Sequence, residues 1–422
     1  MGILSGNALC RNPRVLKEAA CLAEAGHAVE VLGAWLHPRL RAEDLRILEN
    51  AAFRFTPVFD AANESSGARL AWMLSRLLTR LSRGGRRKIG IENRWQLGPV
   101  VGALGRAARA RTFDLAIAHS EPALSVVSDL EKRGRRIGID FEDWFSEDLL
   151  PAARRSRPVN LLRRLEQRAV LRGVHASCPT RAMSEALAAE YGCAPPAVVY
   201  NAFPWSDRKA MDGLSRDRAG GRRPTVHWYS QTLGEGRGLE DLLAALPLLR
   251  SEVEVHLRGE PAEGFGPWLA SRLPEAWRER VVVHPLVANS ELLSRMSEHD
   301  IGFAGEMKYC RNKNLTASNK VLHYLLAGLA VVASDTVGQM EIAAQAPGAM
   351  TLYPSGDPGA LAQRVDELLI PEGRLGGAKS AALAAAEGTF SWERQKDRLV
   401  DAVDAGLAAC ERPARGSSPG GR

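Results

Sequence analysis

From Thr225 onward, short apolar and β-branched runs alternate with longer stretches whose apolar positions recur every third or fourth residue. In order these are TVHWYS, GLEDLLAALPLLR, VEVHLRG, PWLASRLPEAWRER, VVVHPLV, NSELLSRMSEH, DIGFAGE, SNKVLHYLLAG, AVVASD and DPGALAQRVDELL. The short runs fit strands buried on both faces and the longer ones fit amphipathic helices. Strand and helix taking turns in this way predicts a mostly parallel sheet covered on both sides. The first half repeats the pattern with strands at GILSG, AVEVLGA, FRFTPVF, DLAIAHS, RIGIDFE, HASCP and AVVYNAF, separated by helices such as 13–25.

Two doubly wound α/β domains follow, at 1–203 and 225–390, joined by a polar Gly/Arg-rich linker at 204–224. A last helix at 391–411 carries Trp392, Leu399, Val403 and Leu407 at helical spacing, so it must pack somewhere, and the seam between the domains is one candidate. The tail 412–422 has the composition of a disordered segment. Two such sheets facing across a cleft would offer a nucleotide a place at the carboxyl ends of their strands, although fold alone says nothing about chemistry.

Composition narrows the class. With 422 residues, 45% hydrophobic and 25% charged, the chain is not disordered, collagen-like or a small stapled scaffold. Arginine makes up 47 of the 56 basic residues, the mark of a GC-rich bacterial genome. Six cysteines lie far apart with no C-x-x-C pair, which implies a reducing compartment and no zinc site. The opening MGILSGNALCRNPR has no signal-peptide pattern, and the best apolar run, Leu325 to Ala333, is about half a membrane span. A cytoplasmic location is expected.

Four stretches carry more specific information: RNPRVLKEAACLAEAGHAVEVLGAW with VVYNAF, then GEGRGLEDLLAAL, then SNKVLHYLLAGLAVVASD. In order and spacing they resemble the family-4-type retaining glycosyltransferases (glycosyl transferases group 1), whose fold is GT-B. The resemblance runs from about residue 3 to residue 410. It implies a C-terminal domain that binds a nucleotide diphosphate sugar, with no further cofactor, an N-terminal domain that supplies the acceptor site, and a final helix that crosses back to the first domain. The activity implied is transfer of the sugar to an acceptor hydroxyl with retention at the anomeric carbon, in cell-envelope polysaccharide or glycolipid synthesis.

The same resemblance assigns roles. A departing diphosphate needs cations and helix N-terminal amides. Arg237, Lys320, Ser318 and Asn319 are the candidates; the family's second basic position is Gln231 here. Glu306 fits the first of two family glutamates, which contacts the sugar, while His323 stands at the second, which binds the ribose. The insert 307–317 lengthens that motif. His119, immediately after a strand, matches a histidine that contacts the transferred sugar. A helix histidine bonded to backbone is the plain alternative for His323.

Two loops are read from residue type. GIDFEDWFSEDLLP gathers Asp140, Glu142, Asp143, Glu147 and Asp148, of which Asp140 and Glu142 are expected to touch acceptor or sugar, a solvated acidic loop being the alternative. GT-B enzymes do not generally need a metal, and none is expected. Gly6 and Asn7 follow the first strand, where glycine lets backbone approach a ligand or simply makes a turn.

Between Arg69 and Arg94, eight basic residues face one acid, with leucines interleaved at helical spacing. Such a helix suits an anionic membrane surface, which would make the enzyme peripheral and its acceptor lipid-linked; alternatively the leucines pack inward and the arginines face water. A second cluster, 154–172, adds seven arginines. No nucleic-acid motif accompanies them. Two rival readings remain: a nucleotide-sugar 2-epimerase of the same fold, and a non-catalytic GT-B partner subunit.

Overall fold

The structure, a computed structural model, describes residues 1–61, 66–218, 223–236 and 238–409. Two compact α/β units divide it. Unit one comprises 1–179, 184–199 and the chain from Lys396; unit two comprises 180–183 and 200–395.

Unit one holds β1 (Gly2–Leu4), β2 (Glu30–Trp35), β3 (Arg54–Asp60), β4 (Ala116–Ala118), β5 (Ile137–Asp140), β6 (His175–Cys178) and β7 (Ala197–Val198). They run in the order β3-β2-β1-β4-β5-β6-β7, every neighbouring pair parallel. Every residue of β1, β2, β4 and β5 is buried, as a sheet covered on both faces requires. The order reverses between β1 and β4, and a ligand crevice forms at such a reversal, beyond the carboxyl ends of the strands.

Unit two repeats the plan with β8 (Thr225–Leu233), β9 (Glu254–Pro261), β10 (Val281–His284), β11 (Ile301–Ala304), β12 (Ala330–Ser334) and β13 (Met350–Tyr353). Its order, β10-β9-β8-β11-β12-β13, is again fully parallel and reverses between β8 and β11. Val226, Trp228, Leu257, Phe303, Val332 and Tyr353 form the centre of its core.

Segment 204–224, read from sequence as a linker, is tied to unit two in its described part. Asp212 pairs with Arg295, Asp217 with Arg258, and Arg218 with Asp300. The final helix, Trp392–Ala409, joins unit one from Lys396 on, with Leu399 and Val403 buried. There His27 Nε2 meets Asp404 at 3.0 Å, and Gly406 lies so close to Val174 that a Cβ would come within 2.1 Å of its carbonyl oxygen. The tail 412–422 lies outside the described residues.

Sequence pattern gave no warning of a histidine cluster in unit two. His227 of β8 stacks on His299 at 4.5 Å and His256 of β9 on His284 at 5.0 Å, with His256 Nδ1 2.8 Å from His284 Nε2. Burial pushes all four below the ordinary histidine value, His256 down to about 3, helped at His227, His256 and His284 by neighbouring histidines, although Asp217 pulls His256, His284 and His299 the other way. The folded cluster is therefore neutral where unfolded histidines would be charged. Below the unfolded value, about 6.5, the unfolded chain binds more protons, so stability falls as pH drops through it. We expect the urea midpoint of unit two to fall between pH 7 and pH 5, with His256 alone contributing on the order of 2 kcal/mol. A flat profile, or a His256→Gln variant with unchanged slope, would contradict this.

Candidate functional site

In unit one the candidate residues gather after β1, β4 and β5, around the strand reversal. Asp44 accepts from the Leu9 and Cys10 amides, each at 2.7 Å, and from Trp35 Nε1, which fixes the loop after β1. Gly6 takes φ +70°, a left-handed conformation that favours glycine, and Asn7 is exposed beside it. Asn12 caps the helix Pro13–Glu24 by accepting from Val15 N at 3.0 Å. Its amide nitrogen donates to both Glu142 oxygens, at 2.7 and 2.9 Å.

His119 lies behind Glu142. Its Nδ1 is 2.8 Å from Glu142 Oε1, and its Nε2 is 3.0 Å from Glu18 Oε2, an ion-pair distance without hydrogen-bond alignment. Burial works against a charged imidazole, but the Glu18 charge and the Glu142 hydrogen bond outweigh it and hold His119 well above its ordinary value. Its side chain has 0% exposure, against 21% for Glu142. The sequence reading put His119 against the sugar; the structure instead encloses it, and Glu142 is the exposed member of the pair.

Asp140 is buried as well. Arg14 grips both its oxygens at 2.7 Å and also donates to Val199 O, and Ser177 Oγ donates to Asp140 at 2.6 Å. Burial raises the Asp140 carboxyl, and the Arg14 charge more than reverses that, leaving it below the usual range. Contact of Asp140 with an acceptor is thus replaced by an internal ion pair. His119, Asp140 and Glu142 each offer a metal-ligating atom within 4.8 Å of the others. Arg14 already occupies both oxygens of Asp140 and Asn12 both of Glu142, so this donor set is poorly suited to a cation.

In unit two, Gly305 and Glu306 follow β11. The Glu306 backbone is pinned from β12, its amide donating to Ser334 Oγ at 2.8 Å and its carbonyl accepting from the same hydroxyl at 2.7 Å. Its Oε1 accepts from Ser318 Oγ at 2.8 Å and from Lys320 Nζ at 3.0 Å. Burial would raise the Glu306 carboxyl, but Lys320 and Lys313 lower it below the usual range. Lys320 also sits over the Trp228 ring at 5.4 Å. Both charged side chains keep some exposure, 17% for Lys320 and 19% for Glu306.

Ser318 is the N-cap of the helix Asn319–Ala327, yet its side chain makes no cap because it is spent on Glu306. The first amides of that helix are left without a capping side chain, which favours an anion there. Asn319 is exposed and accepts from Asn201 Nδ2 at 2.9 Å, linking the YNAF segment to the helix start. His323, one turn on, is buried; it stacks on Phe203 at 4.1 Å, and its Nδ1 is 3.1 Å from Tyr229 OH.

Arg237 lies outside the described residues. Its neighbour Gly238 takes φ +83° at the start of the helix Leu239–Ala245, where a Cβ would come within 1.8 Å of Gly305 O. The loop after β8 therefore passes beside the strand end that carries Glu306.

Of the residues named from sequence, the structure brings Glu306, Ser318 and Lys320 into contact, with Asn319 beginning the same helix. Sequence reasoning missed Asn12, Arg14, Glu18 and Ser334. A signal for two of these was present: Arg14 and Glu18 share the inward face of their helix with Val15, Ala19 and Leu22, and charges at buried helical positions imply partners.

Two Rossmann-like units of seven and six parallel strands, each with its candidate residues at the strand reversal, define the GT-B fold. Residues 223–370 match the family model of glycosyl transferases group 1. Among solved structures, HepE of Anabaena in complex with UDP-glucose is 17% identical, with TM-score 0.68 over 96% of this chain and 100% of that one. Sucrose-phosphate synthase of Thermosynechococcus elongatus is 13% identical, with TM-score 0.71 over 97% and 100%. A UDP-forming trehalose-phosphate synthase of Burkholderia xenovorans is 13% identical, with TM-score 0.65 over 96% and 98%. At these identities the likeness is one of fold. No curated protein sequence matches the chain.

Proposed function

We propose that the protein is a retaining glycosyltransferase that moves a sugar from a nucleotide diphosphate sugar to an acceptor hydroxyl. The observation that carries this reading is the Glu306–Ser318–Lys320 constellation at the uncapped start of the helix Asn319–Ala327, inside the segment that matches the family. Cation and amides suit a diphosphate that gains charge as it leaves. The bond from the anomeric carbon to the diphosphate breaks while a bond to the acceptor oxygen forms on the same face, and the leaving oxygen takes the acceptor proton. Arg237 is the natural second cation.

In unit one we take Glu142 as the group that meets an acceptor, with Asn12 and His119 acting through it as positioning residues. UDP sugars are the donors to try first, since UDP-glucose is the ligand in the HepE complex. The test is calorimetric titration and donor hydrolysis with UDP, GDP, ADP and TDP sugars. Tight binding of one class with slow release of free sugar supports the reading. No binding to any would favour a non-catalytic subunit, and conversion of donor alone to an epimer would favour the epimerase.

A further inference from the structure

The helix Ser66–Ile89 has its amphipathic character reversed. The side turned to unit one is largely polar: Trp72, Ser75, Thr79, Ser82 and Arg86 are its less exposed positions. Trp72 stacks on Phe59 at 4.2 Å, Gln96 Nε2 donates to Ser82 O at 2.9 Å, and Arg83 Nε donates to Gln96 O at 3.1 Å. Leu70, Met73, Leu74, Leu77, Leu78 and Leu81 point outward, Met73 with 66% and Leu81 with 62% of its surface exposed. Their spacing makes one continuous stripe. The alternative in which these leucines pack into the domain is therefore excluded. Beside the stripe, Leu74, Leu77, Leu78 and Leu81 line a hollow of about 270 Å³ with Trp95.

The charge on this helix selects the occupant. It carries seven basic residues and no acid. Arg69, Arg76, Arg80 and Arg87 recur along one flank of the stripe and, with Lys88, have no acidic partner among the described residues. In the second basic cluster four of the seven arginines are paired: Arg154 and Arg163 with Glu147, Arg157 with Glu121, and Arg168 with Glu131. A second copy of the chain would bring the same cations against these ones and be repelled. A surface that is apolar within and anionic at its edge satisfies both faces at once.

We propose that the helix Ser66–Ile89 docks the protein on an anionic lipid bilayer, with Leu70 to Leu81 in the interface and the flanking arginines at the headgroups. Among the described residues no helix is long and apolar enough to cross a membrane, so the attachment is peripheral. The docking stands apart from the glycosyl-transfer reading; joined to it, it makes the acceptor an alcohol presented at a membrane surface.

The test is flotation of the full-length protein with vesicles of phosphatidylcholine alone and with about one-third phosphatidylglycerol, at low and high salt. Binding is expected to the anionic vesicles only and to weaken at high salt. Leu74→Asp with Leu81→Asp, and separately Arg76→Glu with Arg80→Glu, are each expected to lower the bound-to-free ratio by about tenfold or more. All four sites are exposed, so the thermal midpoint and nucleotide-sugar binding should not change. Equal binding to neutral vesicles, no binding to either, or a dimer in sedimentation that the leucine variant abolishes without vesicle binding would overturn the proposal. Loss of nucleotide-sugar binding in wild type would bear on the transferase reading alone.

Discussion

Replacing Lys320 by alanine is expected to cut sugar transfer by about a hundredfold or more, the scale of a lost contact to developing charge. Lys320 is the described cation at the uncapped helix start, and its Nζ lies 3.0 Å from Glu306 Oε1. A lysine that holds the leaving diphosphate matters most when the bond is breaking, so kcat should fall more than the donor KM rises. Glu306→Gln should fall by a similar factor. With neutral glutamine beside it, Lys320 loses the partner that fixes its position, while the Ser334 contacts still pin the backbone. A donor with a better leaving group should regain activity in both variants, since both changes weaken the hold on the leaving diphosphate. Near-normal turnover in both, with unchanged thermal midpoints, would remove this site.

The second large effect is on stability. Arg14→Met leaves Asp140 buried and unpaired, and unit one is expected to lose about 3–5 kcal/mol, read from urea unfolding. The double change Arg14→Met with Asp140→Leu should recover much of that, because no isolated charge remains. A loss below about 1 kcal/mol in the single variant would mean that the bidentate pair is solvated after all.

In unit one, Asp140 loses its contribution on acidification as the histidine cluster does, only at lower pH, whereas His119 runs opposite. Asp140 is held below the usual carboxylate range, so its contribution is present above the unfolded value, about 4, and lost only as pH falls through the folded one. His119 is held above its ordinary value, so its contribution is complete below about 6.5 and lost as pH rises through the folded value. At pH 5 Asp140 and His119 should therefore both contribute in full, while buried His175, held below its ordinary value, pulls unit one the other way.

The strands were legible because a parallel sheet buries both faces and leaves unbroken apolar runs, as in AVVAS of β12. β13, MTLY, was missed: it is half-buried, and the small residues of AAQAPGAM before it hide the boundary of the preceding helix. At the site, Lys320 and Glu306 were legible because residue type and position after a strand or at a helix start coincide. His119 and Asp140 were placed on the right strand ends but given the wrong surroundings. Their partners, Glu18 and Arg14, lie more than a hundred residues earlier, and pairing across such separations leaves no local pattern. The lesson extends to Ser66–Ile89, whose periodicity showed a stripe but could not say which way it turned.

The last helix has a consequence for synthesis. Because Lys396 to Ala409 complete unit one, the ribosome must pass through all of unit two before unit one can close. Until then Cys21, which contacts the Lys396 carbonyl in the finished protein, and the neighbouring surface stay open to chaperones and proteases. Nascent chains halted before residue 396 should be degraded faster than their length alone explains, and expression of the first half by itself would deliver an unfinished body.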